Sequence, residues 1–194
     1  MLHLVIFDLD ETIVLNEIPF SEMRERILRK IGSDEKPKHL YEFLKDKGED
    51  CLKLLEEEEI RRAKHSKVHP SLPKVLRELK NRGIILAVLT RNSKRATMIA
   101  LGEYARYFDD IITREDDFEP KPSPEAIFHL LSKYGVRGDE CLVVGDYDYD
   151  IIAGKKAGCI TVRIGNGSGD YRIEKIDEIF DIVNMLTDSP PDIL

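Results

Sequence analysis

Two aspartates stand directly behind the first apolar run of the chain. The run is Leu4-Val5-Ile6-Phe7, and it leads into Asp8 and Asp10, with Thr12 close behind. Apolar runs of this kind are typical of buried strands. Carboxylates are costly to bury unless they are paired or bound to a metal ion. Two of them, one residue apart at the end of a core strand, therefore indicate a site that does chemistry.

The ends of two later apolar runs carry groups of the same kind. Thr90 follows the run 84–89, and Asp146 follows the run 141–144 after Gly145, with Asp150 four residues on. In an open α/β sheet, ligands bind beyond the carboxyl ends of the strands. A single Asp after a strand is commonly only a helix cap. Three strand ends that present acid, hydroxyl and acid on one edge predict a shared site.

The charge at such a site needs a counterpart. The carboxylates of Asp8, Asp10, Asp146 and Asp150 would repel one another, and their pKa values would rise. A hard divalent cation such as Mg²⁺ fits, because it takes carboxylates together with substrate oxygens and water. No His or Cys stands near these strand ends, which argues against Zn²⁺. Lys121, stiffened by prolines in the segment EPKPSP, offers one positive charge, although this segment could also be only a loop entering a helix.

After residue 70, short apolar runs alternate with segments of helical period. This order predicts an α/β fold, a Rossmann-like parallel sheet with helices on both faces. The last segment, 189–192, reads as a loose tail. The predicted strands are 4–7, 84–89, 110–112, 141–144 and 160–164, and the predicted helices are 71–82, 93–101, 124–134, 150–157 and 176–186.

Residues 16–70 follow a different pattern, with no strand-like run. They predict three helices, 19–31, 38–47 and 49–67, which form a small all-helical cap inserted after the first strand. The expected division is a core of residues 1–15 and 71–194 and a cap of residues 16–70. The run Glu56–Glu59 before Arg61 and Arg62 is typical of a solvated helix face with i,i+4 pairs, and a substrate-facing role for either arginine is the alternative.

The bulk composition excludes several classes of protein. The chain has 194 residues, of which 42% are hydrophobic and 35% charged, as in one globular domain with a modest insertion. A net charge of -7 argues against generic nucleic-acid binding. The three cysteines are odd in number and lack C-x-x-C spacing, which indicates free thiols and a cytoplasmic protein. We expect no membrane association, because the sequence shows neither a leader-like segment nor an apolar segment of about 18 residues.

The motifs together resemble the haloacid dehalogenase superfamily, and specifically its phosphatase branch. The resemblance spans residues 3 to 165, and the helical insertion resembles the C1-type cap of that family. One motif alone is a weak signal, but four in the family's order are a strong one. The four motifs match Asp8-Leu9-Asp10-Glu11-Thr12, then Thr90, then Lys121, and last Gly145-Asp146 with Asp150.

This resemblance implies a role for each motif residue. Asp8 is the nucleophile that becomes an aspartyl-phosphate, and Asp10 protonates the leaving alcohol and later activates water. The carboxylates of Asp8 and Asp146 and the backbone carbonyl of Asp10 would hold Mg²⁺. Asp150 would support the metal through water or through the lysine. Phosphate oxygens would be bound by Thr90, Arg91, Asn92 and Lys121, with the start of the helix near Ser93 adding its positive end.

The function expected is Mg²⁺-dependent hydrolysis of a small phosphorylated metabolite, similar to a phosphoglycolate phosphatase. The alternatives are a phosphomutase resembling β-phosphoglucomutase, a protein phosphatase, or a phospho-acceptor receiver domain. Glu11 departs from the Gly that many small-molecule members carry, and DLDET also resembles the branch that acts on the RNA polymerase C-terminal domain. That branch lacks the insertion. Candidate substrate-selecting residues in the cap, all compatible with a plain solvated helix, are Arg24, Arg26, Lys30, Tyr41, His65 and Lys67.

Overall fold

A six-stranded parallel sheet forms the centre of the molecule. The computed structural model describes residues 1–188, and its sheet has the strand order β5-β4-β1-β6-β7-β8. Every neighbouring pair is parallel, so the carboxyl ends of the strands share one edge. The prediction of a Rossmann-like parallel sheet is confirmed. The strands are β1 Leu4–Phe7, β4 Ile85–Leu89, β5 Asp110–Ile112, β6 Cys141–Gly145, β7 Ile160–Ile164 and β8 Tyr171–Ile173.

Helices cover both faces of this sheet, because side chains along each strand alternate between two apolar clusters. On β1, Val5 and Phe7 pack with α4 and α8, while Leu4 and Ile6 pack with α6 and α7. The central strand therefore has no polar face, as a sheet covered on both sides requires. The core helices are α4 Leu72–Asn81, α5 Lys94–Leu101, α6 Glu125–Tyr134, α7 Asp148–Lys156 and α8 Ile179–Asp188.

Three further helices, α1 Phe20–Lys30, α2 Leu40–Lys47 and α3 Glu49–Lys64, form the helical insertion. They enclose an apolar cluster of their own, built on Met23, Ile27, Leu28, Leu40, Leu44 and Leu55. The expected helix 49–67 ends earlier, and a strand that the sequence did not predict follows it, β3 Ser66–Val68. It pairs antiparallel with β2 Val14–Asn16 at the base of the insertion. The proposed division at residues 16–70 stays a prediction.

Elsewhere the differences from prediction are small. Helix α7 begins at Asp148 rather than at residue 150, and a 3-10 turn over Ile176–Glu178 precedes α8. Strand β8 was not predicted. The expected tail, residues 189–192, lies outside the described residues.

The cysteines and the membrane expectation can also be compared with the structure. Cys141 and Cys159 are buried, Cys51 is half-buried, and all three carry free thiols. Within residues 1–188, every helix is too short or too polar to cross a bilayer.

Candidate active site

The chain leaves strand geometry immediately after Phe7. Asp8 still donates its backbone N–H to the carbonyl oxygen of Val144 at 2.9 Å, but the backbone then bends at the buried Leu9. Residues Ile13 and Val14 donate back to the Leu9 carbonyl at 3.0 and 2.9 Å, which closes a tight loop. This loop places the two aspartates in different surroundings at one edge of the sheet.

Lys121 is the central residue among the neighbours of Asp8. Its buried ammonium group contacts Asp8 Oδ1 at 2.5 Å, Asp150 Oδ1 at 2.6 Å and the Leu89 carbonyl oxygen at 2.8 Å. These partners come from the ends of β1 and β4 and from α7. A cation that is removed from water in this way is held by charge-assisted hydrogen bonds, so its position is well fixed.

A group of three carboxylates surrounds the same point. Asp8, Asp146 and Asp150 each offer an oxygen, and these oxygens all lie within 4.8 Å of one another. Gly145 makes the packing possible, because a Cβ atom there would overlap the Asp150 carboxyl group. Nearby, the buried hydroxyl of Thr12 has no hydrogen-bond partner among residues 1–188. Carboxylate oxygens in this arrangement fit a hard divalent cation such as Mg²⁺.

The pKa values show how crowded this negative charge is. Burial raises the pKa of Asp8 well above its usual range, and the charge of Asp150 adds to the effect while Lys121 opposes it. Burial and Asp150 together raise the pKa of Asp146 to about 6. Burial would lower the pKa of Lys121, but the carboxylates of Asp150 and Asp8 outweigh it and raise that pKa. Additional positive charge at this point would relieve the repulsion.

Asp10 has entirely different neighbours. Its Oδ1 accepts a hydrogen bond from Asn16 Nδ2 at 2.9 Å, and its Oδ2 accepts one from Asn92 Nδ2 at 2.8 Å. Arg62 of the helical insertion lies 2.9 Å from the same Oδ2. The Asp10 carboxylate does not belong to the three-carboxylate group in the described part of the chain. A metal contact through its backbone carbonyl stays a prediction.

The structure separates the residues expected to bind phosphate. Thr90 is buried, and its Oγ1 accepts a hydrogen bond from the Asn92 backbone N–H at 3.2 Å. Arg91 turns toward the insertion, where it pairs with Glu42 at 2.8 Å. The backbone N–H of Ser93 donates to a carboxylate of the insertion, Glu59, at 3.2 Å. The start of α5 therefore faces an acid within the protein.

The prediction of a solvated face for the Glu56–Glu59 run was wrong for two of its members. Glu58 and Glu59 are 2% and 6% exposed. Glu58 accepts hydrogen bonds from Arg26, Lys30 and Arg61, and Glu59 pairs with Arg114 of the core.

Arg62 is also buried, and it contacts Asp10 and Glu11. From the sequence, a role at the site was only the alternative to a solvated position for this residue. The spacing of these residues along α3 is the sequence signal that could have identified the buried face. Leu55, Ala63 and these charged residues share one helical face at positions i, i+3, i+4, i+7 and i+8.

Most other candidate residues of the insertion are engaged in contacts within it or near its base. Arg24 donates to the Pro37 carbonyl, His65 contacts the Arg61 carbonyl, and Lys67 pairs with Glu17. Arg26 and Lys30 are partners of Glu58. Of the six candidates, Tyr41 alone lines a cavity that residues 1–188 form beside the site.

That cavity, of about 290 Å³, lies between α2 and the loops that follow β4 and β5. Thr90 and Lys121 line it, so it borders the expected phosphate position, and Arg114 lies 5.4 Å from the ring centre of Tyr41. A second, smaller cavity of about 10 Å³ is lined by Asp10 and Arg62, and the Asp10 side chain is 28% exposed. The larger of these two cavities therefore lies beside α2, and Asp10 stays within reach of solvent.

Comparisons with known proteins show the family and the fold of the chain. The family model for haloacid dehalogenase-like hydrolases matches residues 5–164. Phosphoglycolate phosphatase of Aquifex aeolicus is 28% identical, over 94% of the chain and 97% of that relative. Pyrophosphatase PpaX of Bacillus velezensis is 27% identical, over 93% and 96%. A crystal structure of a subfamily IA hydrolase from Geobacter sulfurreducens shares the fold, with a TM-score of 0.72 at 22% identity over 94% of the chain and 100% of that protein.

Proposed function

The chain belongs to the haloacid dehalogenase-like hydrolases and is a phosphatase, and from this premise we propose that it hydrolyses a small phosphomonoester through an aspartyl-phosphate with Mg²⁺ as cofactor. The single observation that carries the proposal is the contact of Lys121 with both Asp8 and Asp150, beside Asp146 and apart from Asp10. The relatives named as phosphoglycolate phosphatase and pyrophosphatase support a small phosphorylated substrate.

Asp8 supplies the nucleophilic oxygen. Lys121 binds its Oδ1, while Oδ2 has no hydrogen bond within the described part of the chain. Oδ2 forms a bond to phosphorus as the bond from phosphorus to the leaving oxygen breaks. Lys121 neutralises charge beside the phosphoryl group, and the Thr90 hydroxyl and the backbone N–H group of Arg91 bind its oxygens. No large movement of Lys121 is needed, because its buried position is already fixed.

Asp10 handles the proton in both halves of the reaction. It gives a proton to the leaving oxygen, and the resulting carboxylate then takes one from the water that attacks phosphorus. This second attack breaks the acyl-phosphate bond, releases inorganic phosphate and restores Asp8. The two carboxylates can take separate roles because their neighbours differ, Lys121 for Asp8 and amide and guanidinium groups for Asp10.

Mg²⁺ would be held by the carboxylates of Asp8 and Asp146 and by the backbone carbonyl of Asp10, with Asp150 supporting it through water. When bound, it supplies positive charge that lets an anionic nucleophile meet an anionic phosphate. Asp150 also anchors Lys121 at 2.6 Å.

The first test measures phosphate release from p-nitrophenyl phosphate, phosphoglycolate and pyrophosphate, with Mg²⁺ and with EDTA. We expect Mg²⁺-dependent release that Asp8→Asn abolishes while the circular dichroism spectrum is retained. Asp148→Asn is the matched control, because Asp148 lies only two residues after Asp146, at the first residue of α7, but is largely exposed and pairs with Arg163. Release that persists in Asp8→Asn would contradict the proposed nucleophile.

A further inference from the structure

Arg62 is the residue that the helical insertion places against the candidate acid–base carboxylate. It lies near the end of α3 and is 6% exposed. Its Nη1 is 2.9 Å from Asp10 Oδ2, its Nη2 is 3.3 Å from Glu11 Oε1, and its Nε donates to the Ile18 carbonyl oxygen at 2.9 Å. All three nitrogens of the guanidinium therefore have an acceptor. A planar donor fixed at three points has little freedom to move.

Glu11 explains part of this arrangement. Its backbone φ is +55°, a left-handed conformation that is uncommon for a residue other than glycine. Its carboxylate accepts hydrogen bonds from Asn16 Nδ2 at 3.0 Å and from Arg62 Nη2. The acid at this position thus turns toward the insertion and ties Arg62 to the loop that carries Asp10.

The nitrogen neighbours of Asp10 are distributed unequally between its two oxygens. Oδ2 accepts a hydrogen bond from Asn92 and lies 2.9 Å from Arg62 Nη1, whereas Oδ1 accepts a hydrogen bond from Asn16 alone. Oδ1 is consequently the oxygen with more room for a leaving group or a water molecule. Without Arg62, each oxygen would keep one amide donor and no cation would lie beside Oδ2, so rotation of the carboxyl group would cost less.

We propose that Arg62 is a positioning residue, which fixes the Asp10 carboxylate with Oδ1 directed to the reacting atoms when the insertion lies over the core. The proposal rests on the proposed function, since it acts through Asp10 as acid and base. Asn16 and Asn92 lie outside α1–α3, so they would stay near Asp10 if the insertion moved. Arg62 is carried by α3 and would move with it.

Arg61 offers a matched control on the same helix. It carries the same charge but faces the other way, pairing with Glu58 at 2.9 Å and Glu22 at 3.3 Å. The experiment compares wild type, Arg62→Gln, Arg62→Lys, Arg61→Gln, Asp10→Asn and the double variant Asp10→Asn with Arg62→Gln. Each is mixed rapidly with p-nitrophenyl phosphate and Mg²⁺, and p-nitrophenolate is followed through the first turnover and into the steady state. Unfolding in urea is measured for each variant.

p-Nitrophenolate is a good leaving group that needs little protonation, so the first step depends little on Asp10. The rate of the second step, the attack of water on the aspartyl-phosphate, therefore reports on Asp10. We expect Arg62→Gln to lower the steady-state rate about 10- to 100-fold. A burst of nearly one p-nitrophenolate per enzyme should precede that slow phase, because the aspartyl-phosphate accumulates. Arg62→Lys keeps the charge but not the three-point contact, and its rate should lie between those of Arg62→Gln and wild type. Arg61→Gln should match wild type within about twofold.

The double variant separates positioning from a merely structural role. If Arg62 acts through Asp10, Arg62→Gln should slow Asp10→Asn no further. A rate in the double variant equal to the product of the two single losses would overturn the inference, as would an Arg62→Gln variant that shows no burst and keeps the wild-type rate. Either result leaves the proposed function standing. Absence of release from folded wild type with Mg²⁺ would count against the proposed function instead.

Discussion

The two aspartates of the first motif differ in what they contact, although one residue separates them. Asp8 meets an ammonium group and two further carboxylates, whereas Asp10 meets amides and a guanidinium. The difference arises from the bend at Leu9, which lies between them and follows the end of β1 at Phe7. The local backbone thereby gives the two carboxylates different partners, which is compatible with the separate roles proposed for them.

Gly145 is the residue whose replacement should disturb this arrangement most directly. In Gly145→Ala the new methyl group would overlap the Asp150 carboxyl and displace it from Lys121. We expect a loss of about 1–3 kcal/mol in the free energy of unfolding from overpacking. The displaced Lys121 should lower kcat about 100-fold. Urea unfolding measures the loss of stability, and phosphate release measures the loss of kcat.

Gly83→Ala is the comparison for that variant. Gly83 has φ +72° with open space around its Cβ position, and it precedes β4, at the end of that strand opposite to Thr90. Its replacement should cost about 1 kcal/mol of stability from backbone strain and leave kcat unchanged. Equal losses of activity in the two variants would show that Gly145 affects only overall stability.

The sequence was informative about single residues where chemistry restricts the choice, and less so where partners are distant. Asp8, Lys121 and Asp150 could be named because their types follow strand ends or stand between prolines, and the structure brings them together. Glu59 could not be recognised as buried, because its partner Arg114 lies 55 residues away. A charged helix face looks the same in sequence whether it meets water or an opposite charge.

At the scale of elements, the contact between α3 and the core depends on buried ion pairs. Glu59 accepts from both Nη atoms of Arg114, and the guanidinium also contacts the Arg91 carbonyl at 3.3 Å. The two side chains are 6% and 13% exposed. The apolar cluster of the insertion is separate from those of the sheet, so these polar contacts are a main link between the two. A buried pair holds position well but contributes little net stability.

Arg114→Met should therefore be more damaging than loss of both charges. The single change leaves Glu59 buried without its cation and should cost about 3 kcal/mol in the free energy of unfolding. The double change Glu59→Met with Arg114→Met removes both buried charges and should recover most of that loss. Urea unfolding at pH 7 measures both. Lys53→Met, which breaks an exposed pair with Asp50 on the same helix, should change stability by less than about 0.5 kcal/mol. A double variant no more stable than Arg114→Met would contradict this account.

Glu58 should make the stability of the insertion depend on pH. Burial would raise its pKa, but hydrogen bonds from Arg26, Lys30 and Arg61 outweigh it and lower the pKa from 4.5 to about 2. A lowered pKa in the folded state means that the stabilisation is present above pH 4.5 and disappears as the pH falls toward 2. Arg26 and Lys30 are almost half exposed, so solvent limits the contribution to about 1 kcal/mol.

The measurement compares wild type with Glu58→Gln in urea between pH 7 and pH 2. The difference in unfolding free energy should be constant down to about pH 5 and should shrink below it. Glu57→Gln, an exposed neighbour, should show no such dependence. A difference that stays constant to pH 2 would mean that the three cations do not hold Glu58 ionised.

Elements with strong periodicity were predicted closely, and three short strands, β2, β3 and β8, were not predicted. Strands β1, β6 and β7 are apolar runs, and their positions agree with prediction to within one residue. Strands β3 and β8 have three residues each, Ser-Lys-Val and Tyr-Arg-Ile. Three residues are too few to show a period of two, and their pairing depends on a partner strand elsewhere in the chain. The predicted helix over 49–67 extends beyond the observed end of α3 at Lys64, because the sequence gives no stop signal before β3.

The chain as a whole carries a negative charge, and its proposed substrate is an anion. Its net charge is -7, and at the candidate site the carboxylates of Asp8, Asp146 and Asp150 surround a single ammonium group, that of Lys121. The arginines nearest the cavity are paired with acids of the insertion. A phosphate would meet excess negative charge there unless a cation were present. The overall charge thus supports the same cofactor as the local geometry.

Mg²⁺ should therefore stabilise the folded chain. At 100 times its dissociation constant a ligand adds about 2.7 kcal/mol, which for a chain of this length raises Tm by about 5–10 °C. Asp146→Asn removes one carboxylate of the group and should lose most of that rise, whereas the exposed Asp148→Asn should keep it. Thermal unfolding is followed at fixed ionic strength, with NaCl replacing MgCl₂ in the reference. A rise of equal size in both variants would place the cation elsewhere on this acidic surface and would remove it from the proposed reaction.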